Sequence, residues 1–178
     1  TMNKAFTNNK YIISDLANVG YIEKEDTEAK METCPALFKE IKETVSEKIK
    51  VSKAVFHTAF IKKEVRFAKK NLRSVMFNLI SNALKFSSPD RVPEISIKTE
   101  IEGEYTVLTI TDNGIGITKE EIDHIFKKYK RVNETAEGTG IGLYLIRKIV
   151  NASGGKIEVK CESDKGCSFK LFFKVIEE

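Results

Sequence analysis

The sequence predicts an α+β fold, a two-layer sandwich in which a mixed, mostly antiparallel sheet carries helices on one face. Strand-like and helix-like segments are interleaved along the chain, and antiparallel hairpin signatures join successive strands. The chain has 178 residues, 41% of them hydrophobic and 31% charged, which bounds one ordinary domain with its own core. That balance excludes wholesale disorder and collagen-like or low-complexity character.

The elements follow in order. Asn3 to Tyr21 carry Ile12, Leu16 and Val19 at helical spacing, the end of an amphipathic helix, and Glu23 to Lys30 is a charged linker. Lys30 to Pro35 predicts a short strand. Pro35 opens a helix to about Lys48, with Leu37, Ile41, Val45 and Ile49 on one face. Ala54 to Phe60 and Glu64 to Ala68 read as strands joined by a Lys62-Lys63 turn. Asn71 is the expected N-cap of a helix reaching Phe86, and Ser87 to Pro93 is a turn-rich loop. Glu94 to Glu100 and Tyr105 to Thr111 alternate around Glu102-Gly103-Glu104 as a hairpin. Thr118 and Glu121 make a capping box for a helix to about Lys127. Lys128 to Gly140 is polar and Gly-bearing, a mobile-loop candidate. Ile141 to Ala152 is an amphipathic helix ended by Gly154-Gly155, and Lys156 to Cys161 with Ser168 to Val175 form a closing hairpin.

Composition narrows the function classes. Thirty Lys and Arg stand against 26 Asp and Glu, a net charge of +4 with no one-sided basic patch, so no nucleic-acid partner is expected. No apolar run approaches the roughly 18 residues of a membrane span. The three cysteines, Cys34, Cys161 and Cys167, are odd in number and lack CxxC spacing, which argues against a disulfide framework and a zinc site. The expectation is reduced, intracellular thiols. No signal pattern opens the chain, and Thr1 before Met2 reads as a scar on an excised fragment.

Three segments carry chemistry. Asn78, Asn82 and Lys85 recur at i, i+4 and i+7 on their helix, within roughly 60° of one another, beside an apolar arc of Leu72, Val75, Met76, Leu79 and Ala83. Asn is a poor helix former, so two beside a core point to side-chain carbonyls aimed at a ligand or metal; taken alone, a solvated face reads better. On the strand Tyr105 to Asp112, a carboxylate ends the apolar side made by Leu108 and Ile110, and Asn113-Gly114-Ile115-Gly116 follows at once. Two glycines let backbone approach a flat ligand, although a DNG turn also occurs in plain hairpins. Gly138-Thr139-Gly140-Ile141-Gly142-Leu143 runs into a helix whose N-terminal amides can bind phosphate. The glycines follow a polar loop rather than a strand and no Gly-Lys-Ser/Thr is present, so neither a Rossmann nor a Walker A site fits.

The conjunction of these segments, in this order, resembles the ATP-binding catalytic domain of sensor histidine kinases, within the superfamily that includes gyrase, the heat-shock chaperone ATPase and the mismatch-repair ATPase. NLISNALKF (Asn78 to Phe86) looks like the N box, DNGIGI (Asp112 to Ile117) the G1 box, IFKKYKR (Ile125 to Arg131, with Tyr129) the F box and GTGIGL (Gly138 to Leu143) the G2 box. The resemblance covers about Lys30 to Val175 and implies a Bergerat-type fold, with residues 1–27 the tail of a dimerisation helix plus linker and 28–178 the catalytic domain. It implies ATP and Mg²⁺ as cofactors: Asn82 holding Mg²⁺ through its carbonyl oxygen, Asn78 assisting near the phosphates, Lys85 facing them and Phe86 packing at the nucleotide. Asp112 would accept the adenine amine, with Gly114, Gly116 and Ile117 around the ring and Ser168, in place of the family's usual Thr, nearby. Tyr129, Arg131 and the lid would approach the γ-phosphate. Gly138, Thr139, Gly140, Ile141, Gly142 and Leu143 would surround the phosphate chain. Of these, Asn78, Lys85 and Arg131 are the expected catalytic residues.

The ATP-hydrolysing branches place Glu at the position of Asn78 to activate water, and an amide cannot act as that base. The acceptor is therefore expected to be a His on a dimerisation domain. His57, followed by Thr58, and His124, followed by Ile125, lack the acidic neighbour of a phosphoacceptor and read as a strand residue and a surface helix residue. The resemblance implies a protein-histidine kinase fragment, monomeric and cytoplasmic, from a homodimeric parent that is membrane-anchored in some members, with a response regulator downstream. The alternatives are an autonomous ATPase switch and a non-catalytic nucleotide-binding regulatory domain.

Overall fold

The computed structural model describes residues 30–127 and 140–175. Its elements are β1 (Lys30–Thr33), α1 (Cys34–Thr44), α2 (Ser46–Ser52), β2 (Val55–Phe60), β3 (Glu64–Phe67), α3 (Lys69–Lys85), β4 (Glu94–Glu102), β5 (Tyr105–Asp112), α4 (Lys119–Ile122), α5 (Gly142–Ala152), β6 (Lys156–Glu162) and β7 (Gly166–Lys174). Five strands form the main sheet in the order β2-β4-β5-β7-β6, and β1 pairs with β3 in a separate two-stranded sheet. Only β2 runs parallel to its neighbour β4; every other pairing is antiparallel.

Alternation explains why the helices lie on one face. Ile95 and Ile97 of β4, Leu108 and Ile110 of β5, and Phe169, Leu171 and Phe173 of β7 share the inner side and are buried with Leu72, Val75, Met76, Leu79, Ile80 and Ala83 of α3 and Leu145, Ile146 and Ile149 of α5. The outer side is polar, with Lys98 paired to Glu100, Lys156 to Glu158 and Lys170 to Glu102. It also carries one apolar island, Val107 and Phe172, which the lysine stems cover; Lys156 Nζ lies 4.1 Å from the Phe172 ring centre.

Several expectations are corrected in detail. The two strands expected on either side of Lys62-Lys63 are both present, and they belong to different sheets. The Ile61 and Lys62 N–H groups both donate to the Thr99 carbonyl, 2.9 and 3.1 Å away, and the Thr99 hydroxyl donates back to the Lys62 carbonyl. The turn is thereby tied to β4, and β3 leaves the main sheet to pair with β1. The helix expected from Pro35 to Lys48 is two, divided at Val45; just before the break the Thr44 hydroxyl donates to the Glu40 carbonyl, a back-bond that bends helices. α3 begins at Lys69 with Ala68 as its N-cap, not at Asn71. The capping box of Thr118 and Glu121 is present, but its helix ends at Ile122.

The thiol reading is corrected too. Cys161 and Cys167 are directly opposed across β6 and β7, with Cα atoms 4.2 Å apart, and form a disulfide. Odd number and missing CxxC spacing do not exclude a bond when a hairpin register supplies the approach. Cys34 remains a free thiol, fully buried. No helix among the described residues is long and apolar enough to cross a membrane.

Candidate functional site

α3 presents its polar stripe as the periodicity predicts: Asn78 and Asn82 are half-buried and Lys85 is exposed. The Asn78 side-chain N–H donates to the Ser74 carbonyl at 2.8 Å, which fixes the amide with its oxygen turned outward from that bond. That oxygen faces the first turn of α5. A Cβ added at Gly142 would lie 2.7 Å from Asn78 Oδ1, so the bare glycine is what lets the amide stand against the helix N-terminus. Two of the expected segments thus meet side by side. Lys85 lays its ammonium 4.4 Å from the Phe86 ring centre.

The carboxylate of Asp112 closes the inner face of β5. It accepts the Gly114 N–H at 2.8 Å and the backbone N–H of Cys167. Burial is the dominant influence and pushes its pKa above the ordinary carboxylate value, while those two hydrogen bonds act in the opposite direction. The result is a desolvated acceptor at the edge of an apolar core. The following turn is joined to the N-box helix, because the Phe86 carbonyl accepts the Ile115 N–H at 2.9 Å. A side chain at Gly114 would collide with that carbonyl, its Cβ falling 2.4 Å from the oxygen.

A wall that the sequence did not announce holds this turn. Gly116, at φ +63°, packs against the Glu162 carbonyl, where a Cβ would approach to 1.9 Å, and the Asp164 N–H donates to the Ile115 carbonyl at 2.7 Å. Arg91 completes the contact. Its guanidinium donates to the carbonyls of Asn113 (2.6 Å), Gly114 (2.9 Å) and Asp164 (2.6 Å), and also pairs with the Asp164 carboxylate. An arginine in a turn-rich loop carries no sequence signal for such a role.

Ser168 is not brought to the Asp112 side chain. Its hydroxyl lies 2.8 Å from the Thr111 hydroxyl on the outer face, in a shallow depression lined also by Lys98, Thr109 and Lys170. The residue of β7 on the inner face beside Asp112 is Cys167. Strand parity would have found it: Phe169, Leu171 and Phe173 mark the buried side, and a period of two assigns Cys167 to that side and Ser168 to the other.

Gly140, at φ +70°, leads into Ile141, which is buried and caps α5, and Leu143 packs against the core, as does Ile117. Arg147 of α5 stacks over Phe126, 5.5 Å from its ring centre, joining the start of the F box to the same helix. Tyr129, Arg131, Gly138 and Thr139, most of the expected lid and residues 1–27 lie outside the described residues. His57 on β2 is exposed beside Glu94, 3.5 Å away, and His124 is exposed after α4.

The donors on α3 are the amide oxygens of Asn78 and Asn82. No group of three or more His, Cys, Asp or Glu side chains converges among the described residues. Amide oxygens on α3 suit a hard cation that keeps its waters and draws its remaining ligands from phosphates, as Mg²⁺ does.

Comparison with known proteins bears on the family and the fold. The family model described as "Histidine kinase-, DNA gyrase B-, and HSP90-like ATPase" matches residues 68–177. The signal transduction histidine-protein kinase ArlS of Staphylococcus aureus (strain USA300) is 32% identical over 114 residues, 62% of this chain and 25% of that protein. The chain therefore spans about a quarter of the length of the curated relatives it matches. Among solved structures, the histidine kinase AdeS of Acinetobacter baumannii superposes with a TM-score of 0.75 at 20% identity, covering 94% of this chain and 79% of that one. The catalytic domain of histidine kinase ThkA gives 0.71 at 23% identity, with 83% and 95% covered. Full-length ShkA, solved in complex with AMPPNP, gives 0.73 at 18% identity, with 93% and 36% covered. At these identities the structural likenesses are likenesses of fold.

Proposed function

Because the chain belongs to the histidine kinase-, DNA gyrase B- and HSP90-like ATPase family, we propose that it is the ATP-binding catalytic domain of a sensor histidine kinase, acting in the cytoplasm. It transfers the γ-phosphate of Mg·ATP to a His on a separate dimerisation domain, from which a response regulator is served. The observation that carries this reading is Asn78. Its nitrogen is committed to Ser74 and its oxygen faces Gly142, so an amide and not a carboxylate stands where α3 meets the N-terminus of α5. An amide cannot take a proton from water, which argues against the autonomous ATPase switch of the same family.

The residues divide the work. Asp112 accepts the exocyclic amine of adenine, and the bare backbone at Gly114 and Gly116 admits the ring beside it. Asn82 would hold Mg²⁺, which when bound neutralises phosphate charge, and Asn78 would assist near the phosphates. Lys85 and Arg131 add positive charge, and the amides that open α5 donate to the phosphate chain. Phosphoryl transfer needs mainly position and charge neutralisation, and these groups supply both.

The test is transfer. The chain is incubated with γ-labelled ATP and Mg²⁺, alone and with a separately supplied dimerisation domain of its parent kinase. Label should appear on the His of that domain, and neither His57 nor His124 should be labelled. Stable labelling of either of those residues, or hydrolysis to free phosphate without transfer, would overturn the reading.

A further inference from the structure

The disulfide lies at the nucleotide pocket. Cys167 donates its backbone N–H to Asp112, and its side chain shares the inner face with that carboxylate. Cys161 and Cys167 also bracket the hairpin turn, and the residues between them are those that hold the turn after Asp112. Glu162 lies against Gly116, Asp164 binds Ile115 and Arg91, and Gly166 packs so closely on Asp112 that a Cβ there would sit 1.9 Å from its carbonyl oxygen. A bond between the two sulfurs therefore closes a turn of five intervening residues, three of which, Glu162, Asp164 and Gly166, lie against the segment 112–116.

We propose that Cys161 and Cys167 form a reversible thiol–disulfide site whose oxidation state sets the nucleotide affinity of the adjoining pocket, an inference that rests on the nucleotide-binding reading above. In the cytoplasm, disulfides are mostly transient or redox-sensing rather than structural. The five-stranded sheet and its helices bury an ample core without this bond, so the pair is not needed as a staple. Both cysteines are half-buried, whereas Cys34 is sealed in the core.

The chemistry is thiol–disulfide exchange with a small disulfide such as oxidised glutathione. The thiolate of one cysteine attacks a sulfur of that molecule, forming a mixed disulfide and expelling one small thiol; the second cysteine then displaces the other. The protein gives up two electrons and two protons, and the small disulfide becomes two thiols. In the oxidised form the turn is clamped, and the Asp112 carboxylate, held by the Cys167 N–H, and the Gly116 backbone are kept in place for the base. Reduction frees the end of the hairpin, so part of the binding energy is spent on ordering it.

The experiment equilibrates the 178-residue chain in glutathione buffers of graded ratio, reads its oxidation by intact mass after alkylation, and measures the Kd for Mg·ATP of the oxidised and reduced forms. The oxidised form should bind about fivefold tighter or more, and by reciprocity saturating Mg·ATP should shift the value at half-oxidation of the squared glutathione concentration over the glutathione disulfide concentration by the same factor. Cys161→Ser should bind with the reduced parent's affinity in every buffer. Equal affinity of the two parent forms would overturn this inference and leave the kinase reading standing. An affinity shift that persists in Cys161→Ser, or failure of the pair to oxidise, would overturn it as well. No binding by either form would remove the nucleotide-binding reading and this inference together.

Discussion

Asp112 is where burial and function pull in opposite directions. Its carboxyl is desolvated and its pKa raised, so the fold favours the protonated form. A raised folded-state pKa means that the associated stability is present at low pH and is lost as pH rises through that value. At neutral pH the ionised group is held at a cost, and Asp112→Asn should leave the melting temperature unchanged or higher. Adenine binding has the opposite dependence, because only the ionised carboxyl is purely an acceptor. ATP affinity should fall on acidification at a pH above the ordinary aspartate range, and Asp112→Asn should lose ATP affinity at pH 7. The parent should prefer ATP over GTP on the order of a hundredfold, since guanine would set an acceptor against an acceptor. Competition binding of both nucleotides to both forms, with melting curves alongside, checks these outcomes. Asn82→Ala, on the helix edge, should keep the fold and lose Mg-dependent triphosphate binding; if the variant binds Mg·ATP as the parent does, Asn82 is not the metal ligand.

Among the elements, the loop between α3 and β4 matters more than its composition implied. Arg91 reaches three carbonyls on two separate segments, a fork that lysine cannot reproduce. Hydrogen bonds from a charged donor contribute about 1.5–3 kcal/mol each where they are buried. Arg91 is partly exposed, so Arg91→Ala should cost about 1–3 kcal/mol in urea unfolding and weaken ATP binding, with Arg91→Lys restoring little. The ion pair with the Asp164 carboxylate is a different matter, since that side chain is 80% exposed. Asp164→Asn, which tolerates the φ of +59° at this position, should change stability by less than about 0.5 kcal/mol. Similar losses from Arg91→Ala and Asp164→Asn would show that the charge pair, not the carbonyl fork, carries the contact.

In the molecule as a whole, α1 is locked to the core through Cys34, whose thiol burial pushes up to about 12 from an ordinary value of 9.0. The folded chain keeps its proton where the unfolded chain loses it, so stability is full below pH 9 and declines as pH rises from about 9 toward 12. Urea unfolding of the oxidised chain at pH 8 and pH 10 should show this decline, and Cys34→Ala should flatten it while lowering stability at both values through the cavity it leaves. A slope unchanged by Cys34→Ala would place the alkaline transition elsewhere. The same seclusion makes Cys34 a spectator in thiol chemistry, which leaves Cys161 and Cys167 as the pair that responds.

Local pattern determined much of this protein. The apolar arc of α3, the hairpin around Gly103, the closing hairpin after Gly155 and the three glycine- and asparagine-bearing segments are all read from spacings within one element, where a helical or strand period dictates which side chains share a face. Tertiary structure decided what those periods cannot encode. That β2 pairs with β4 across a whole intervening helix, while β3 joins β1, depends on the Thr99 bonds to the Lys62 turn, a contact between segments 37 residues apart. That Arg91 braces the Asp112 turn depends on partners 22 and 73 residues away. The disulfide and the placement of Cys167 on the inner face and Ser168 on the outer lie between these cases, because strand parity contains them once the register of β5, β6 and β7 is known. Register is set by the packing of a whole sheet against its helices, and only the folded chain supplies it.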